Sequence, residues 1–450
     1  MANNPSNGNV AQLSIREEGL IAETLYDPTT NKTSFAIASD GKYGEDDIVT
    51  TSDNIITPIS KEHYLIKYDL VKFPSEMVEY GSKEALYKEI KAFIHKYMDV
   101  DEYFESLTAV YIMMTWIYDK FYEIPYLRVK GTYGSGKSRF LDTVGALCYK
   151  PLSTSGANSE SSFFRTMDVV RGSLILDEAN FRYTGRETLL VKMLNDGNKR
   201  GGTVTRMKTL RDGGFEPEVF NVFCPKVIAS ISDYTDDAFE SRCISYLLGK
   251  KNIREDIPEQ LPDAFWDEAL KIRNKLLTYR LMNMQMPKEE VEWLDVNVQP
   301  RIKQIAIPLL KTLNIDEVRD NLLLFITRHD EQLREAERMT DAFDVFSSIL
   351  ELQSEDREKL YTIGEITEKY NFSSCEASIT PNVVGRIIRT QLGLETKKRA
   401  SGFVLLKTRR NTERIEFLKE RFDIDDSEYD SAPDAPNAPE EDTAISEEGL

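Results

Sequence analysis

Cysteine and histidine are scarce in this chain of 450 residues, which contains four of the first and three of the second. The cysteines lie far apart and form no CxxC or Cys/His spacing, so the sequence predicts no structural zinc site. Sparse cysteines are typical of proteins from a reducing compartment. They stand at Cys148, Cys224, Cys243 and Cys375.

Long apolar runs are also missing. The longest, "VYIMM" followed after Thr115 by "WIY", is shorter than the roughly 20 residues that a membrane helix needs. The first ten residues, "MANNPSNGNV", have neither a basic start nor an apolar core, so no export signal is predicted. We therefore expect a cytoplasmic protein without membrane contact.

Positive charge is in short supply, because the formal net charge is −19. Residues 423–450 contain eleven Asp or Glu and no Lys or Arg, which leaves −8 for the other 422 residues. The whole-chain charge is therefore a poor guide to polyanion binding, which depends on local basic patches. The acidic tail has too few apolar residues to fold and is predicted to be disordered.

A chain of this length exceeds one hydrophobic core and predicts several domains. Short β-branched runs alternate with helical patterns between residues 126 and 249, which predicts an α/β fold with a parallel sheet and flanking helices. The expected segments are a small N-terminal β-containing region (1–80), a helical segment (81–125), the α/β core (126–250), a helical lid (251–352), a mixed C-terminal domain (353–422) and the disordered tail (423–450).

The stretch "GTYGSGKS" fits the pattern G-x-x-x-x-G-K-[ST] between an expected strand, "YLRV", and an expected helix. Glycines let successive backbone N–H groups face inward at a helix N-terminus, which favours a bound phosphate. Lys137 would reach the β and γ phosphates of ATP, and the hydroxyl of Ser138 would hold Mg²⁺. The predicted binding residues are Gly131, Thr132, Tyr133, Gly134, Ser135, Gly136, Lys137, Ser138 and Arg139. A glycine-rich turn that matches by chance is the alternative.

Forty residues further on, "GSLILDEAN" reads as a buried strand that ends in two acids. Nucleotide hydrolysis needs one carboxylate to organise the magnesium ion and another to orient or deprotonate the attacking water. We expect Asp177 in the first role and Glu178 in the second. An exposed strand end that merely carries acids is the alternative, and the upstream loop argues against it.

With these two motifs the sequence resembles the AAA+ ATPases. The stretch "RGGTVTRMKTLRDGGFEPEVFNVFCPKVIASIS" is similar to the pre-sensor hairpin of their helicase-related branch, which includes the minichromosome maintenance proteins and the superfamily-three viral helicases. In those families the hairpin touches nucleic acid in a central pore, which makes Lys208 and Arg211 candidate contacts. A solvated basic turn is the alternative.

The same resemblance implies three further catalytic residues. Arg242, in "DDAFESRCISYLL", resembles the arginine finger that a neighbouring subunit offers to the γ phosphate, with a surface salt bridge as the alternative. Ser232 stands where many relatives have a sensor Asn, and Arg301 in the lid stands where a second sensor is expected. An arginine finger requires an oligomer, and the resemblance implies a hexamer.

Residues 360–407 are similar to a winged helix, with two helices followed by two strands around a basic turn. Thr380 can cap the second helix, Pro381 suits its first position and Gly393 its end. The buried face is expected at Val384, Ile387 and Ile388. The candidate phosphate contacts are Arg386, Arg389, Lys397, Lys398 and Arg399. A protein contact or a merely solvated surface is the alternative.

Together these features predict an oligomeric AAA+ ATPase that uses ATP and Mg²⁺ to translocate along, unwind or remodel single-stranded or forked DNA. A replicative helicase of a mobile element or phage, with a primase or initiator as partner, would fit. One alternative is an ATP-dependent initiator, loader or regulator without helicase activity. The other is a protein-remodelling or defence ATPase for which DNA is irrelevant.

Overall fold

The computed structural model describes residues 9–51, 54–153, 160–177, 189–209, 213–231, 237–249, 253–286, 298–373 and 378–424. The chain divides into two compact units, Met1–Thr327 and Arg328–Leu450. The border falls inside the segment expected to be the lid, and the six-segment division of the sequence stays a prediction. No helix in the described ranges is long and apolar enough to cross a bilayer.

The first unit begins with strands, as the short β-type runs predict. They are β1 (Asn9–Gln12), β2 (Ser14–Glu17), β3 (Leu20–Asp27), β4 (Lys32–Ser39), β5 (Lys42–Asp46), β6 (Val49–Thr50) and β7 (Ile55–Pro58), followed by the short helix α1 (Tyr64–Lys67). Strands β2 to β5 form an antiparallel sheet in chain order, and β7 pairs with β1 and β6. Asp27 closes the β3–β4 turn by accepting the backbone N–H of Thr29 at 2.8 Å, and Asn31 adopts a positive φ of 56°.

Two helices, α2 (Lys83–Tyr97) and α3 (Glu102–Thr115), fill the aromatic-rich segment. The side chain of Ser82 caps α2 by accepting the N–H of Ala85 at 3.0 Å. Helix α3 is buried along almost its whole length, from Phe104 to Thr115. Most of the aromatic residues of α3 therefore belong to the core.

The central sheet is parallel and five-stranded. Its elements in chain order are β8 (Tyr126–Lys130), α4 (Lys137–Gly145), β9 (Leu152–Ser153), α5 (Glu160–Val170), β10 (Leu174–Asp177), α6 (Leu189–Asp196), β11 (Thr203–Thr209), β12 (Phe215–Asn221), β13 (Lys226–Ser230), α7 (Asp237–Glu240) and β14 (Cys243–Leu247). The sheet order is β14-β8-β13-β10-β9, and β11 pairs with β12 in a separate antiparallel hairpin. The predicted α/β class is confirmed. Because all five strands run the same way, their carboxyl ends share one edge, where ligands of such sheets bind.

Three long helices, α8 (Asp263–Gln285), α9 (Pro300–Thr312) and α10 (Asp316–Arg338), follow the sheet. Helix α8 packs against α2 and β4, and α9 packs against α3. Pro300 occupies the first turn of α9, where its missing N–H costs no hydrogen bond. Helix α8 therefore links the N-terminal antiparallel sheet to α2.

The second unit contains α11 (Asp341–Glu355), α12 (Ile363–Ser373), α13 (Pro381–Thr390), β15 (Thr396–Arg399), β16 (Gly402–Leu405) and α14 (Arg409–Phe422). Its core includes Val384, Ile387 and Ile388, the three residues expected there, each at most 3% exposed. Strands β15 and β16 pair antiparallel around residues 400 and 401, and the winged-helix assignment of this segment stays a prediction. Residues 425–450, most of the acidic tail, lie outside the described residues.

Candidate functional site

The loop between β8 and α4 is built around three glycines. A Cβ on Gly131 would lie 2.4 Å from Ser135 Oγ and 2.9 Å from the carbonyl oxygen of Leu248, so no side chain fits there. Gly134 and Gly136 adopt φ angles of 78° and 93°, in the left-handed region that favours glycine. The N–H of Gly131 donates to the carbonyl of Ser230 at 3.1 Å, which ties the loop to β13.

This loop and Asp177 line the same cavity, of about 440 Å³, at the carboxyl edge of the sheet. The cavity is bounded by residues 133–139 on one side and by residues 229–231 on another. Asp177 reaches it because β10 lies beside β13, with Asp177 opposite Ala229 in register. Two motifs about forty residues apart in sequence are thus brought together.

Lys137 is the first residue of α4, and its ammonium lies over the loop. Its Nζ donates to the carbonyl oxygens of Gly131 at 2.6 Å and Thr132 at 2.8 Å. The positive end of the α4 dipole adds to this charge. A lysine and free backbone N–H groups at a helix N-terminus form an arrangement that suits a phosphate group.

Ser138 and Asp177 supply a hydroxyl and a carboxylate at the same cavity. Mg²⁺ prefers such oxygen ligands, and in nucleotide sites it takes its remaining ligands from phosphates and water. No group of three or more His, Cys, Asp or Glu suited to a metal occurs among the described residues, and a nucleotide-bound magnesium ion does not require one. The donor set therefore fits Mg²⁺ held together with a nucleotide.

Two other loop residues have different environments. Arg139 donates from Nη1 to Pro258 O at 3.0 Å and from Nη2 to Glu259 O at 2.7 Å, so it joins α4 to the segment before α8. Tyr133 is 79% exposed, with its ring 5.8 Å from Lys137 Nζ. Arg139 is therefore engaged with the protein.

Three predicted site residues, Glu178, Arg211 and Ser232, lie outside the described residues. Their proposed roles therefore rest on the sequence alone.

Arg242 and Arg301 lie at the opposite edge of the sheet from the phosphate loop. The N–H of Tyr126, the first residue of β8, donates to the carbonyl of Arg242 at 2.9 Å, whereas the loop follows the last residue of that strand. A strand of five residues spans about 16 Å. The structure does not bring Arg242 or Arg301 to the loop of their own chain.

The two arginines share one cluster at this edge. Arg242 Nε donates to Asn198 Oδ1 at 3.1 Å, and Arg301 Nη1 lies 3.6 Å from Glu123 Oε1, which also pairs with Lys199 at 2.9 Å. Burial lowers the pKa of Arg301, and the neighbouring positive charge of Arg242 lowers it further. This cluster concentrates positive charge at the amino edge of the sheet.

The β11–β12 hairpin has two unlike faces. Val204 and Phe220 are opposite each other and buried, and the same face carries Lys208 opposite Glu216. Because side chains alternate along a strand, the other face carries Thr205, Met207, Thr209, Phe215, Pro217 and Val219, all exposed. Lys208 thus stands across from an acid, and the solvent-facing surface is uncharged. The alternation of residue types in "TVTRMKT" is a sequence signal for this exposed face, whereas the predicted contacts, Lys208 and Arg211, are chosen by charge.

In the second unit, the predicted basic residues are exposed. Arg386, Lys397, Lys398 and Arg399 make no ion pair within the described part of the chain, and Arg389 lies 5.6 Å from the ring of Phe403. Just beyond the wing, Arg410 pairs with Glu395 at 2.7 Å and Arg409 with Glu413 at 2.8 Å. The charge available to a polyanion therefore lies on β15 and α13.

No family model matches this chain, and neither does any curated protein. The structure described as "SCCmec type IV Cch - active helicase" is 11% identical, with 89% of each chain covered and a TM-score of 0.37. The apo structure of the "NrS-1 C terminal region" is 12% identical over 86% of this chain and 96% of that chain, with a TM-score of 0.34. A "JCV Helicase" bound to an acetamide compound is 13% identical over 55% of this chain and 61% of that chain, with a TM-score of 0.23. The α/β class follows from the parallel sheet of this chain itself.

Proposed function

We propose that this chain is an ATP-hydrolysing enzyme of the AAA+ type that works on DNA as a homo-oligomer. The observation that carries the proposal is the cavity at the carboxyl edge of the sheet, where the glycine loop 131–136, Lys137 and Asp177 meet. If the loop resembled a phosphate-binding loop only by chance, there would be no reason for a strand that ends in an aspartate to lie beside the loop. The nucleotide is ATP with Mg²⁺.

Each residue of the cavity has a defined task in this proposal. The backbone N–H groups of the loop and the ammonium of Lys137 neutralise the phosphates, and Ser138 and Asp177 hold the magnesium ion, which stabilises the charge that develops during phosphoryl transfer. Lys137 would exchange its two carbonyl acceptors for phosphate oxygens, which are stronger partners because they are charged. Glu178 would orient and deprotonate the attacking water, a role taken from the sequence.

Arg242 would act on the nucleotide of a neighbouring chain. Arg242 lies about one strand length from the phosphate loop of the same chain, which is too far for contact with the nucleotide bound there. It lies instead at the amino edge of the sheet. Arg301 lies in the same cluster, so we assign it to the same face of the molecule, and a sensor role inside its own chain does not fit this position. A closed ring of chains, a hexamer by resemblance, would provide each loop with such a neighbour.

DNA contact is assigned to two surfaces. The exposed apolar face of the hairpin, with Phe215 and Met207, suits stacking against unpaired bases, which is sequence-tolerant. The basic strand β15 and the exposed Arg386 suit phosphates of single-stranded or forked DNA. Coupling of these contacts to hydrolysis would make the protein a translocase or helicase.

The test is the rate of ATP hydrolysis measured against protein concentration, with and without single-stranded DNA. We expect the rate per chain to rise with concentration and with DNA. Lys137→Ala should lower the rate by a factor of about 100 or more, because one oriented charge at the reacting group is removed. Lys192→Ala, an exposed lysine on α6, is the matched control and should hydrolyse ATP normally.

Other outcomes separate the alternatives. Unaltered hydrolysis in Lys137→Ala would contradict the nucleotide site itself. Stimulation by DNA without strand displacement on forked substrates would favour an initiator, loader or regulator. Rates insensitive to any DNA or RNA would favour a protein-remodelling or defence ATPase.

A further inference from the structure

A second, larger cavity of about 700 Å³ lies in the first unit, away from the phosphate loop. It is enclosed by the N-terminal strands, the end of α5, the segment after α3 and the base of the β11–β12 hairpin. Ligand sites of small molecules and nucleotides usually measure about 300 to 1,000 Å³. The cavity is therefore large enough for more than a single ion.

The floor of this cavity is a buried ionic network. Glu23 is 2% exposed, and its carboxylate accepts from Lys150 at 2.7 Å, from Arg280 at 2.7 Å and from the hydroxyl of Tyr149 at 2.8 Å. Arg280 also pairs with Asp119 at 2.8 Å. Because each of these buried side chains is held by two or more ion pairs or hydrogen bonds, the network forms a rigid floor of the cavity.

Every carboxylate that lines the cavity already has cationic partners. Glu23 has Lys150 and Arg280, Asp119 has Arg280 and Arg16, and Asp168 has Arg171. Four arginines and three carboxylates line the cavity, and Lys150 behind Glu23 adds a fifth cation. In a chain with a net charge of −19, the lining of this cavity carries an excess of one positive charge, and of two when the buried Lys150 is included.

Three of the arginines stand at the rim with donors to spare. The Arg16 side chain is 45% exposed and the Arg171 side chain 62% exposed, and Arg200 is exposed as well. Arg171 donates from Nε and Nη2 to Asp168, at 3.1 and 3.4 Å, and its Nη1 has no acceptor among the described residues. In the described part of the chain, the Arg200 side chain donates from Nη2 alone, to the carbonyl of Asp119. A guanidinium with unused N–H groups can bind phosphate oxygens in a forked geometry.

The cavity adjoins the base of the hairpin. The N–H of Asn221, the last residue of β12, donates to Asp168 Oδ1 at 3.3 Å, and Arg200 lies three residues before β11. If a strand of nucleic acid stacks on the exposed face of the hairpin, its backbone comes within reach of the arginines at the hairpin base. Phosphodiester groups are the anions that such a strand supplies.

We propose that this cavity binds phosphates of a nucleic-acid strand, with Arg16, Arg171 and Arg200 as the contacting residues. The proposal rests on the function proposed above for the hairpin. It adds a binding site in the first unit that is separate from the basic wing of the second.

The test uses the full-length protein and a fluorescein-labelled oligothymidylate, with binding followed by fluorescence anisotropy over a range of salt concentrations. Arg171→Asn is the first variant, because Arg171 has a φ of 46°, which asparagine tolerates, and its side chain contacts only Asp168. Arg16→Gln is the second. Arg319→Ala, a half-buried arginine of the same unit outside the cavity, is the matched control.

We expect each cavity variant to weaken binding roughly threefold and to reduce the slope of log affinity against log salt concentration by about 0.7, the value for one phosphate contact on a single strand. Arg319→Ala should bind like the parent protein. Basal ATP hydrolysis without DNA should be unchanged in all three variants, which distinguishes failure of this site from failure of the ATPase.

Unchanged affinity and slope in both cavity variants would overturn the proposal. So would an equal loss of binding for a fluorescent ATP analogue, since the cavity would then hold free nucleotide instead of a strand. The anisotropy measurement stands even if the protein does not hydrolyse ATP, so the two proposals can fail separately.

Discussion

At the scale of single residues, the buried ion pairs of the first unit are the most consequential feature. Burial alone would raise the pKa of Glu23, but the charges of Lys150 and Arg280 outweigh it and hold that pKa below its ordinary value. Conversely, burial lowers the pKa of Lys150, and Glu23 partly restores it. Each charge is tolerated inside the protein only because its partner is present.

Glu23→Ala is therefore expected to destabilise the first unit by about 3 to 5 kcal/mol, because Lys150 would lose its buried counter-charge and Arg280 one of two. Chemical denaturation followed by tryptophan fluorescence reports on this unit. Glu45→Ala, at an exposed position of β5, should change the free energy of unfolding by less than about 0.5 kcal/mol. Equal denaturation midpoints for the two variants would show that the network contributes no net stability.

Sequence patterns predict one half of this network only. The run "GLIAETLY" in the expected β-containing region predicts a strand, and a glutamate inside it signals a buried acid or an exposed face. Its partner Arg280 is 257 residues away, and no local pattern fixes such a pairing. The phosphate loop is the opposite case, because its glycines, lysine and flanking elements are contiguous and the local backbone alone determines their geometry.

At the scale of secondary structure, the start of α12 is held by a capping box. The N–H and hydroxyl of Thr362 donate to Glu365 Oε2 at 2.8 and 2.9 Å, while Thr362 Oγ1 accepts the N–H of Glu365 at 3.1 Å. A hydrogen bond from Lys359, followed by that from the Thr362 backbone, lowers the pKa of Glu365 to about 2. The pattern T-x-x-E predicts such a helix start.

Because its folded-state pKa is depressed, Glu365 contributes stability that is complete above the ordinary value of 4.5 and is lost as the pH falls towards about 2. Glu365→Gln should therefore exchange amide hydrogens of α12 faster than the parent at pH values above that range, and the difference should shrink at lower pH. Hydrogen exchange with mass spectrometry on the full chain measures this. The control is Glu358→Gln, at an exposed loop position, and a constant difference at all pH values would contradict the assignment.

The hairpin illustrates how far element prediction reaches. Its two strands and their order were predicted from the sequence, and the pairing Thr203 to Asn221 agrees with that interpretation. The sequence does not predict which face of the hairpin is buried, because this depends on the tertiary contact between β12 and α5. Burial of Val204 and Phe220 fixes the register, and the charge of Lys208 then falls beside Glu216.

At the scale of the whole molecule, the two edges of the central sheet carry the two sets of residues to which the proposed function assigns complementary parts of one reaction. The loop and Asp177 lie at the carboxyl edge, whereas Arg242 and Arg301 lie at the amino edge. The loop and Asp177 are predicted from their own sequence motifs, whereas Arg242 and Arg301 are predicted from the family resemblance. That resemblance places a second sensor at Arg301, and only the packing of α9 near Glu123 reveals the distance of Arg301 from the loop.

A mixing experiment tests whether the edges of different chains cooperate. Lys137→Ala lacks a working loop and should hydrolyse ATP more slowly by a factor of about 100 or more, and Arg242→Ala lacks the arginine and should lose about a thousandfold in rate. Mixed together, they should regain part of the activity, because some interfaces join an intact loop to an intact arginine. The same recovery is expected when Arg301→Ala replaces Arg242→Ala. No recovery in either mixture would contradict action between chains, and Lys192→Ala mixed with Lys137→Ala provides the reference for simple dilution.

The polarity of the sheet also restricts how copies of this chain can meet. One strand, β8, leads from the neighbourhood of Arg242 to the glycine loop, so in the proposed function each molecule has a donor rim at one end of this strand and an acceptor rim at the other. A two-fold dimer completes both centres only when the chains lie antiparallel, with each donor rim on the partner's acceptor rim. Head-to-tail contacts complete one centre at each interface, and they either close into a ring or continue as a helical filament.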